Sequence, residues 1–196
     1  MRDVYKNLEI PSSLMITYEE ALKLLKKYFE EGSSTFSHSK AVSDFLYEIC
    51  SKPSKLHPEL GIDPEKMRIV GLLHDIGRAR CQERDQVLHP FESGKMLREH
   101  GLNDMAKIVE RHGIANEIAE LRGMRGDFSP RNIEDELLIY ADFHFKGDRF
   151  VSLQERLRDL KERSKDNPER LKALEMCEER MERIMKKIEK LCYSET

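Results

Sequence analysis

A chain of 196 residues is long enough for one well-cored domain and short for two. Its 34 lysines and arginines against 37 aspartates and glutamates leave a formal charge of −3, which advertises no nucleic-acid or anionic-membrane partner. No run approaches the roughly 18 apolar residues of a membrane helix, and the N-terminal MRDVYKNLEIPSS lacks the apolar core of a secretory signal, so a cytoplasmic protein is expected.

Apolar residues recur at helical spacing almost throughout, without convincing period-2 alternation, which predicts an all-α fold. The first helix is predicted over 17–31, opened by a capping box of Thr17 and Glu20. A second covers about 37–51 and carries His38, Val42, Phe45 and Ile49 on one face. Asp63 as N-cap and Pro64 at the first helical position open a third. It is apolar nearly all round (Met67, Ile69, Val70, Leu72, Leu73), as a central buried helix should be, and Gly77 stops it. A fourth is predicted from Pro90 to Gly101, a fifth from Asn103 to Gly113, and a sixth from Ser129-Pro130 through the run Leu137 to Ala141. A seventh covers 152–163. The last, 168–192, spaces Leu171, Leu174, Cys177, Met181, Ile184, Ile188 and Leu191 by threes and fours. That face either docks on its own domain, the simpler reading, or pairs two copies into a homodimer. The expected organisation is one domain, with a core over about 20–150 and a C-terminal helical extension over 151–196.

The chemistry lies in polar residues set among apolar ones. His74 and Asp75 sit in the sequence GLLHDIG at the end of the buried third helix, with no Lys or Arg among their near neighbours before Arg78. A buried carboxylate costs several kcal/mol unless something positive pairs with it. A metal ion is an economical partner, because neutral imidazole and carboxylate are common ligands; a bare His-Asp pair would read as a helix cap, but the apolar context and the closing glycine turn favour metal. Asp142 follows the apolar run of the sixth helix and raises the same demand. His38 and His112 lie on apolar faces, where either alone would read as a satisfied core histidine, and His89 precedes Pro90 where a polar cap is ordinary. Four such histidines and two carboxylates on five helices are together hard to explain without metal.

The order His38, His74-Asp75, Asp142, with the phrases GLLHDIG and YADFH, resembles the H…HD…D pattern of the HD-domain superfamily of metal-dependent phosphohydrolases. The resemblance covers roughly residues 20–150. It implies an all-helical bundle with a metal site at its centre, and hydrolysis of a phosphate ester of a nucleotide or related small molecule. His89 in HPFESG and His112 in ERHG resemble the two further histidines of dinuclear branches. On that likeness His38, His74, Asp75 and Asp142 hold one ion, and Asp75 bridges to a second held by His89 and His112. Iron or manganese is expected first, and zinc, cobalt, nickel or magnesium can occupy such sites. The branch that splits diadenosine tetraphosphate symmetrically is similar, but the stretch GIANEIAELRGMRGDF after His112 departs from its pattern.

With two ions, a bridging hydroxide would attack phosphorus in line, oriented by Asp75. Many family members carry Lys after the HDIG turn. Here it is Arg78, which stays charged and forks onto phosphate oxygens, so Asp75 and Arg78 are the expected catalytic residues. Arg78, His144, Lys146 and Arg149 are expected to touch substrate, and Arg80, Arg84, Arg122 and Arg125 to widen a phosphate funnel. His57, in a Pro-flanked loop, and His100, at a helix end, are set aside. Two alternatives keep the site: a di-iron oxygenase, or a module that binds a nucleotide or protein without turnover. The four cysteines (Cys50, Cys81, Cys177, Cys192) show no paired spacing and read as reduced thiols. A charged fraction of 36%, with no Trp and Gln only at 82, 86 and 154, suggests a heat-adapted source.

Overall fold

The computed structural model describes residues 16–51 and 60–193; His57 therefore lies outside the described residues. The described chain is all-α, with nine helices and one two-stranded hairpin among those residues. Their order is α1 (Tyr18–Lys26), α2 (Ser34–Ser51), α3 (Pro64–Leu73), α4 (His89–Glu99), α5 (Asn103–Val109), α6 (Ala115–Leu121), α7 (Ile133–Asp142), β1 (Phe145–Lys146), β2 (Arg149–Phe150), α8 (Leu153–Glu162) and α9 (Pro168–Tyr193). Two 3-10 turns, Ile76–Ala79 and Glu83–Leu88, carry the chain from α3 to α4. No helix among the described residues is long and apolar enough to cross a membrane.

The capping chemistry anticipated above is present. Thr17 and Glu20 form a full capping box on α1, and Asp63 caps α3 by accepting from Glu65 and Lys66 N–H. The helix α3 is buried nearly all round and lies against α1, α2, α5 and α7. Gly71 allows that approach, since a Cβ there would sit 2.8 Å from Leu46 Cδ1 and 2.9 Å from Ser43 Cα. The long α9 buries Leu174, Cys177, Met181, Ile184 and Ile188 on its own chain, packed against α6, α7 and α8. The apolar face of α9 is thus largely covered by its own chain. Arg180 of α9 adds a fork onto Glu117 of α6 (2.9 and 2.7 Å) and a 3.0 Å hydrogen bond to Gly113 O. No disulfide joins the four cysteines.

Several boundaries differ from the sequence reading. The first helix ends at Lys26, five residues short of the predicted 31, and α2 begins at Ser34. The predicted sixth helix starts later than Ser129-Pro130, because Asn132 accepts from Asp135 N–H and caps α7 there. Helix α6 and the hairpin were not anticipated. Seven residues give α6 too few turns for a clear period, and strands of two residues cannot show alternation. The hairpin is held by aromatic packing: Phe45 of α2 lies 5.5 Å from Phe145 and 5.4 Å from Phe150, ring centre to ring centre.

Gly77 is a steric requirement of the turn after α3. A Cβ there would fall 2.2 Å from Ser93 N and 2.5 Å from His89 O, both backbone atoms of α4. Gly77→Ala is therefore expected to cost about 3 kcal/mol, or roughly 6–12 °C in a chain of this size, read by thermal unfolding. A shift under 2 °C would show that α4 moves aside freely.

Candidate functional site

Six of the residues singled out in the sequence converge on one buried nest. His38 comes from α2, His74 and Asp75 from the end of α3, His89 from the start of α4, His112 from the turn after α5, and Asp142 from the last residue of α7. Helix ends supply three of the four imidazole anchors. Carbonyls at a helix end are not saturated by intrahelical bonds, and His74, His89 and His112 each donate Nδ1–H to the carbonyl three residues back: Gly71 (2.7 Å), Gln86 (2.6 Å) and Val109 (2.5 Å). His38 donates instead to Gly147 O at the hairpin tip (2.9 Å), where Gly147 takes a φ of 62° that favours glycine.

A carbonyl can only accept, so all four Nδ1 atoms carry protons and every Nε2 is left facing inward. Asp75 Oδ1 lies 2.9 Å from His89 Nε2, 3.6 Å from His112 Nε2 and 3.8 Å from His74 Nε2. Asp142 Oδ1 lies 3.1 Å from His38 Nε2 and 4.0 Å from His74 Nε2. His89 Nε2 and His112 Nε2 stand 3.1 Å apart. Two imidazole lone pairs at that separation repel unless a cation or a proton sits between them.

A proton is a poor answer. Burial, reinforced by Arg78, pushes His89 down to about 4, and burial likewise pushes His74 down to about 4. His38 is the exception: burial lowers it, but the Asp142 carboxylate outweighs that and holds it above its ordinary value. Burial would raise Asp75 and Asp142, yet Arg78 and the histidines around Asp75, and His38 beside Asp142, hold both below the usual carboxylate range. His74 Nε2 and Asp75 Oδ1 are also buried without a hydrogen-bond partner among the described residues, which is uncommon for polar atoms in a finished core. Two sets have ligand atoms all within 4.8 Å of one another: His38, His74 and Asp142, and His74, Asp75 and His112. Neutral imidazoles and ionised carboxylates in this arrangement fit divalent metal, with Asp75 placed to serve both His74 and the His89–His112 pair.

The nest opens into a cleft of about 540 Å³, within the range of small-molecule sites. Arg78, Lys146, Arg156, Arg163 and Arg170 line it against three carboxylates, Asp75, Glu83 and Asp159. On a chain of net charge −3, that is a local excess of positive charge. Arg78 Nε pairs with Asp75 Oδ2 at 2.5 Å and Arg78 Nη2 lies 3.3 Å from His89 Nε2, so this side chain reaches the nest itself. Lys146 stands at the cleft wall, paired with Asp159 at 2.8 Å.

Other expected substrate contacts do not reach the cleft. His144 donates Nδ1–H to Tyr140 O (2.7 Å) and stacks 5.0 Å from the Phe150 ring, lining a separate surface hollow with Ser152, Glu155 and Glu189. Only Phe143 separates His144 from Asp142, but α7 ends at Asp142 and the His144 ring turns into the hairpin aromatics. Arg149 is exposed and paired with Glu155. Of the wider funnel, Arg80 forks onto Glu99, Arg122 onto Glu169, and Arg125 is exposed. The Arg84 side chain lies outside the described residues. In their place stand Arg156 and Arg170, from helices that read as plain amphipathic segments. One signal pointed to Arg156: it occupies the same stripe as Leu153, Leu157 and Leu160, where a surface arginine does not belong.

A family model of the HD domain matches residues 35–192. The chain belongs to the HD-domain family. The match runs through α8 and α9, so the helices that supply the cleft arginines lie within the HD domain's extent. An uncharacterised protein of Methanocaldococcus jannaschii is 30% identical over 174 residues, covering 86% of this chain and 99% of its own. A tRNA (cytidine(56)-2′-O)-methyltransferase of Thermoplasma volcanium is 33% identical over 141 residues, 68% of this chain but 38% of the enzyme. One of the same name from Picrophilus torridus is 34% identical over 89 residues, 43% of this chain and 25% of that enzyme. No solved structure matches. The HD fold is that of metal-dependent phosphohydrolases, and the His/Asp nest is its metal-binding candidate here.

Proposed function

We propose that this HD domain is a metal-dependent hydrolase of a small phosphate ester or anhydride, a nucleotide or a close relative. One observation carries the reading: four imidazoles with their free nitrogens turned inward gather round two carboxylates, and two members of that nest, His38 and Asp75, line an arginine-rich cleft. Bound divalent ions, iron or manganese first, would supply an activated water and neutralise charge developing on phosphorus. His38, His74, Asp75 and Asp142 would hold one, and Asp75, His89 and His112 a second. Asp75 orients the nest by accepting from Arg78 through Oδ2 while Oδ1 faces three imidazoles. Arg78, fixed by that pair and by Gln86, keeps donors turned to the cleft and binds phosphate oxygens there. Being always charged, it stabilises charge and does not deliver a proton.

The test is product analysis with Mn²⁺, and anaerobically with Fe²⁺, against mono- and triphosphates, cyclic nucleotides and dinucleoside polyphosphates. Product absent from an Asp75→Ala control supports the reading. No product with metal bound overturns it in favour of a binding module, and oxygen uptake by the ferrous protein would favour the oxygenase alternative. The relatives named as tRNA methyltransferases favour one second reading, a phosphate carried on RNA, so tRNA belongs in the same panel.

Arg78→Ala is expected to lower kcat/KM about ten- to a hundredfold, the worth of one charge-assisted hydrogen-bond set, while metal content by elemental analysis stays at the wild-type level. Loss of metal in that variant would make Arg78 a positioning residue for Asp75 instead.

A further inference from the structure

Arg156 is a charged side chain set just outside the nest. It is buried, 8% exposed, and its Nε has no hydrogen-bond partner among the described residues. Its ion pairs are long, 3.8 Å to Asp142 Oδ1 and 3.6 Å to Asp159 Oδ2, and Asp159 is already taken by Lys146 and by Arg163 at 2.6 Å. Arg170, in the first turn of α9, has no side-chain ion pair or hydrogen bond given to any described residue; only its backbone N–H is engaged, by Asn167. Both guanidinium groups line the open cleft and also a narrow cavity of about 40 Å³ that borders His89 and Asp142. Arg78 lines both spaces as well, and it is the arginine that reaches the nest.

Under-neutralised cations brought together in this way repel one another. Burial, and then the charges of Arg78, Arg163 and Arg156, lower Arg170 to about 10. Arg156 and Arg170 both remain charged near neutrality, so the cost of gathering them is relieved only when an anion enters. The phosphoryl group held at the metal nest would engage Arg78. It leaves the Arg156–Arg170 pair, on the α8–α9 side, for a different anion.

We propose that Arg156 and Arg170, with Arg163 at the rim, form a second anion subsite adjoining the metal nest, so that the substrate class is a small molecule carrying a second phosphoryl group beside the one cleaved. The inference rests on the hydrolase reading for the identity of the cleaved group, but the subsite itself is a matter of binding and can be tested without turnover. Calorimetric titration of the Mn²⁺-loaded protein would compare inorganic pyrophosphate with inorganic orthophosphate, free Mn²⁺ being clamped equal in both. Wild type is expected to prefer pyrophosphate by about tenfold or more, and Arg170→Gln to lose about tenfold in pyrophosphate affinity with orthophosphate affinity little changed. Arg156→Gln should do the same; because it is buried, its melting curve is recorded alongside, and Arg170→Gln decides if Arg156→Gln fails to fold. No pyrophosphate preference in wild type, an unchanged preference in Arg170→Gln, or equal loss for both anions would each overturn the subsite. If no nucleotide is hydrolysed while the preference and its loss in Arg170→Gln hold, the hydrolase reading falls and the subsite stands.

Discussion

Asp75→Ala is expected to emerge from purification depleted of divalent metal and with hydrolysis reduced by on the order of a thousandfold or more. Among the described residues Asp75 is the one carboxylate whose oxygens meet both Arg78 and three imidazoles, so its loss takes a ligand from each of the two proposed ion sites. Metal-assisted charge stabilisation is worth several kcal/mol, and about 4 kcal/mol corresponds to a thousandfold in rate. The same change also leaves Arg78 without its buried partner. Removing one member of such a pair typically costs about 3–5 kcal/mol, to be discounted here because the Arg78 side chain is 29% exposed. A shared origin predicts that Asp75→Asn, which keeps the shape, recovers part of the stability and none of the activity. Full metal occupancy in Asp75→Ala would sink the ligand assignment, and wild-type activity would sink the hydrolase site as drawn.

Chelation is the second large effect expected. The lone pairs of His89 and His112 at 3.1 Å, and the unpartnered His74 Nε2 and Asp75 Oδ1, are costs that a bound cation removes. At a free metal concentration about a thousand times Kd the ion adds about 4 kcal/mol, so EDTA should lower Tm by roughly 8–16 °C in a chain of this length. The metal-free protein should also be acid-sensitive in a defined window. His74 and His89 titrate at about 4 when folded against 6.5 as the ordinary value. Between these pH values the unfolded chain binds protons that the folded chain refuses, so stability falls as pH drops from 6.5 to 4, by up to roughly 3 kcal/mol for each histidine. His38 acts the other way: its raised value contributes stability that is complete below 6.5 and is lost as pH rises through its folded value. Asp75 and Asp142, held low, keep their contribution above the ordinary carboxylate range and lose it only in stronger acid. Two histidines outweigh one, and the net slope is toward instability in acid. Melting curves at pH 7, 5.5 and 4.5 with and without EDTA check both statements; equal Tm values at pH 7 would remove the case for metal in the folded protein.

The nest was legible in the sequence because burial and charge conflict there. His38, His74, Asp75, His112 and Asp142 are polar residues in apolar helical context, and that conflict can be read without coordinates. Capping signals at Thr17, Asp63 and Pro64 likewise act within a few residues, so local sequence determined where α1 and α3 begin. What hydrophobic periodicity cannot convey is the direction of a side chain after a helix ends. His144 shares a face with Tyr140 and Ala141 in the sequence pattern, yet the turn beyond Asp142 carries it into the hairpin aromatics. Nor can spacing report that Gly147 at a hairpin tip supplies the carbonyl for His38, 109 residues away.

The cleft shows the same division more sharply. Arginines close in sequence to the HD motif, such as Arg80, and in the later loop, such as Arg122, are spent on glutamates at the surface. Apart from Arg78, the arginines that line the cleft (Arg156, Arg163 and Arg170) stand far from the motif in sequence and arrive only because the segment from α8 into α9 folds back over it. The sequence by itself determined the helical class and which side chains resist burial without a cation, since both follow from local pattern and the cost of burying charge. Only the tertiary structure decided which cations face the nest. That choice depends on the packing of helices distant in the chain, and long-range packing leaves no periodic mark on the segments it brings together.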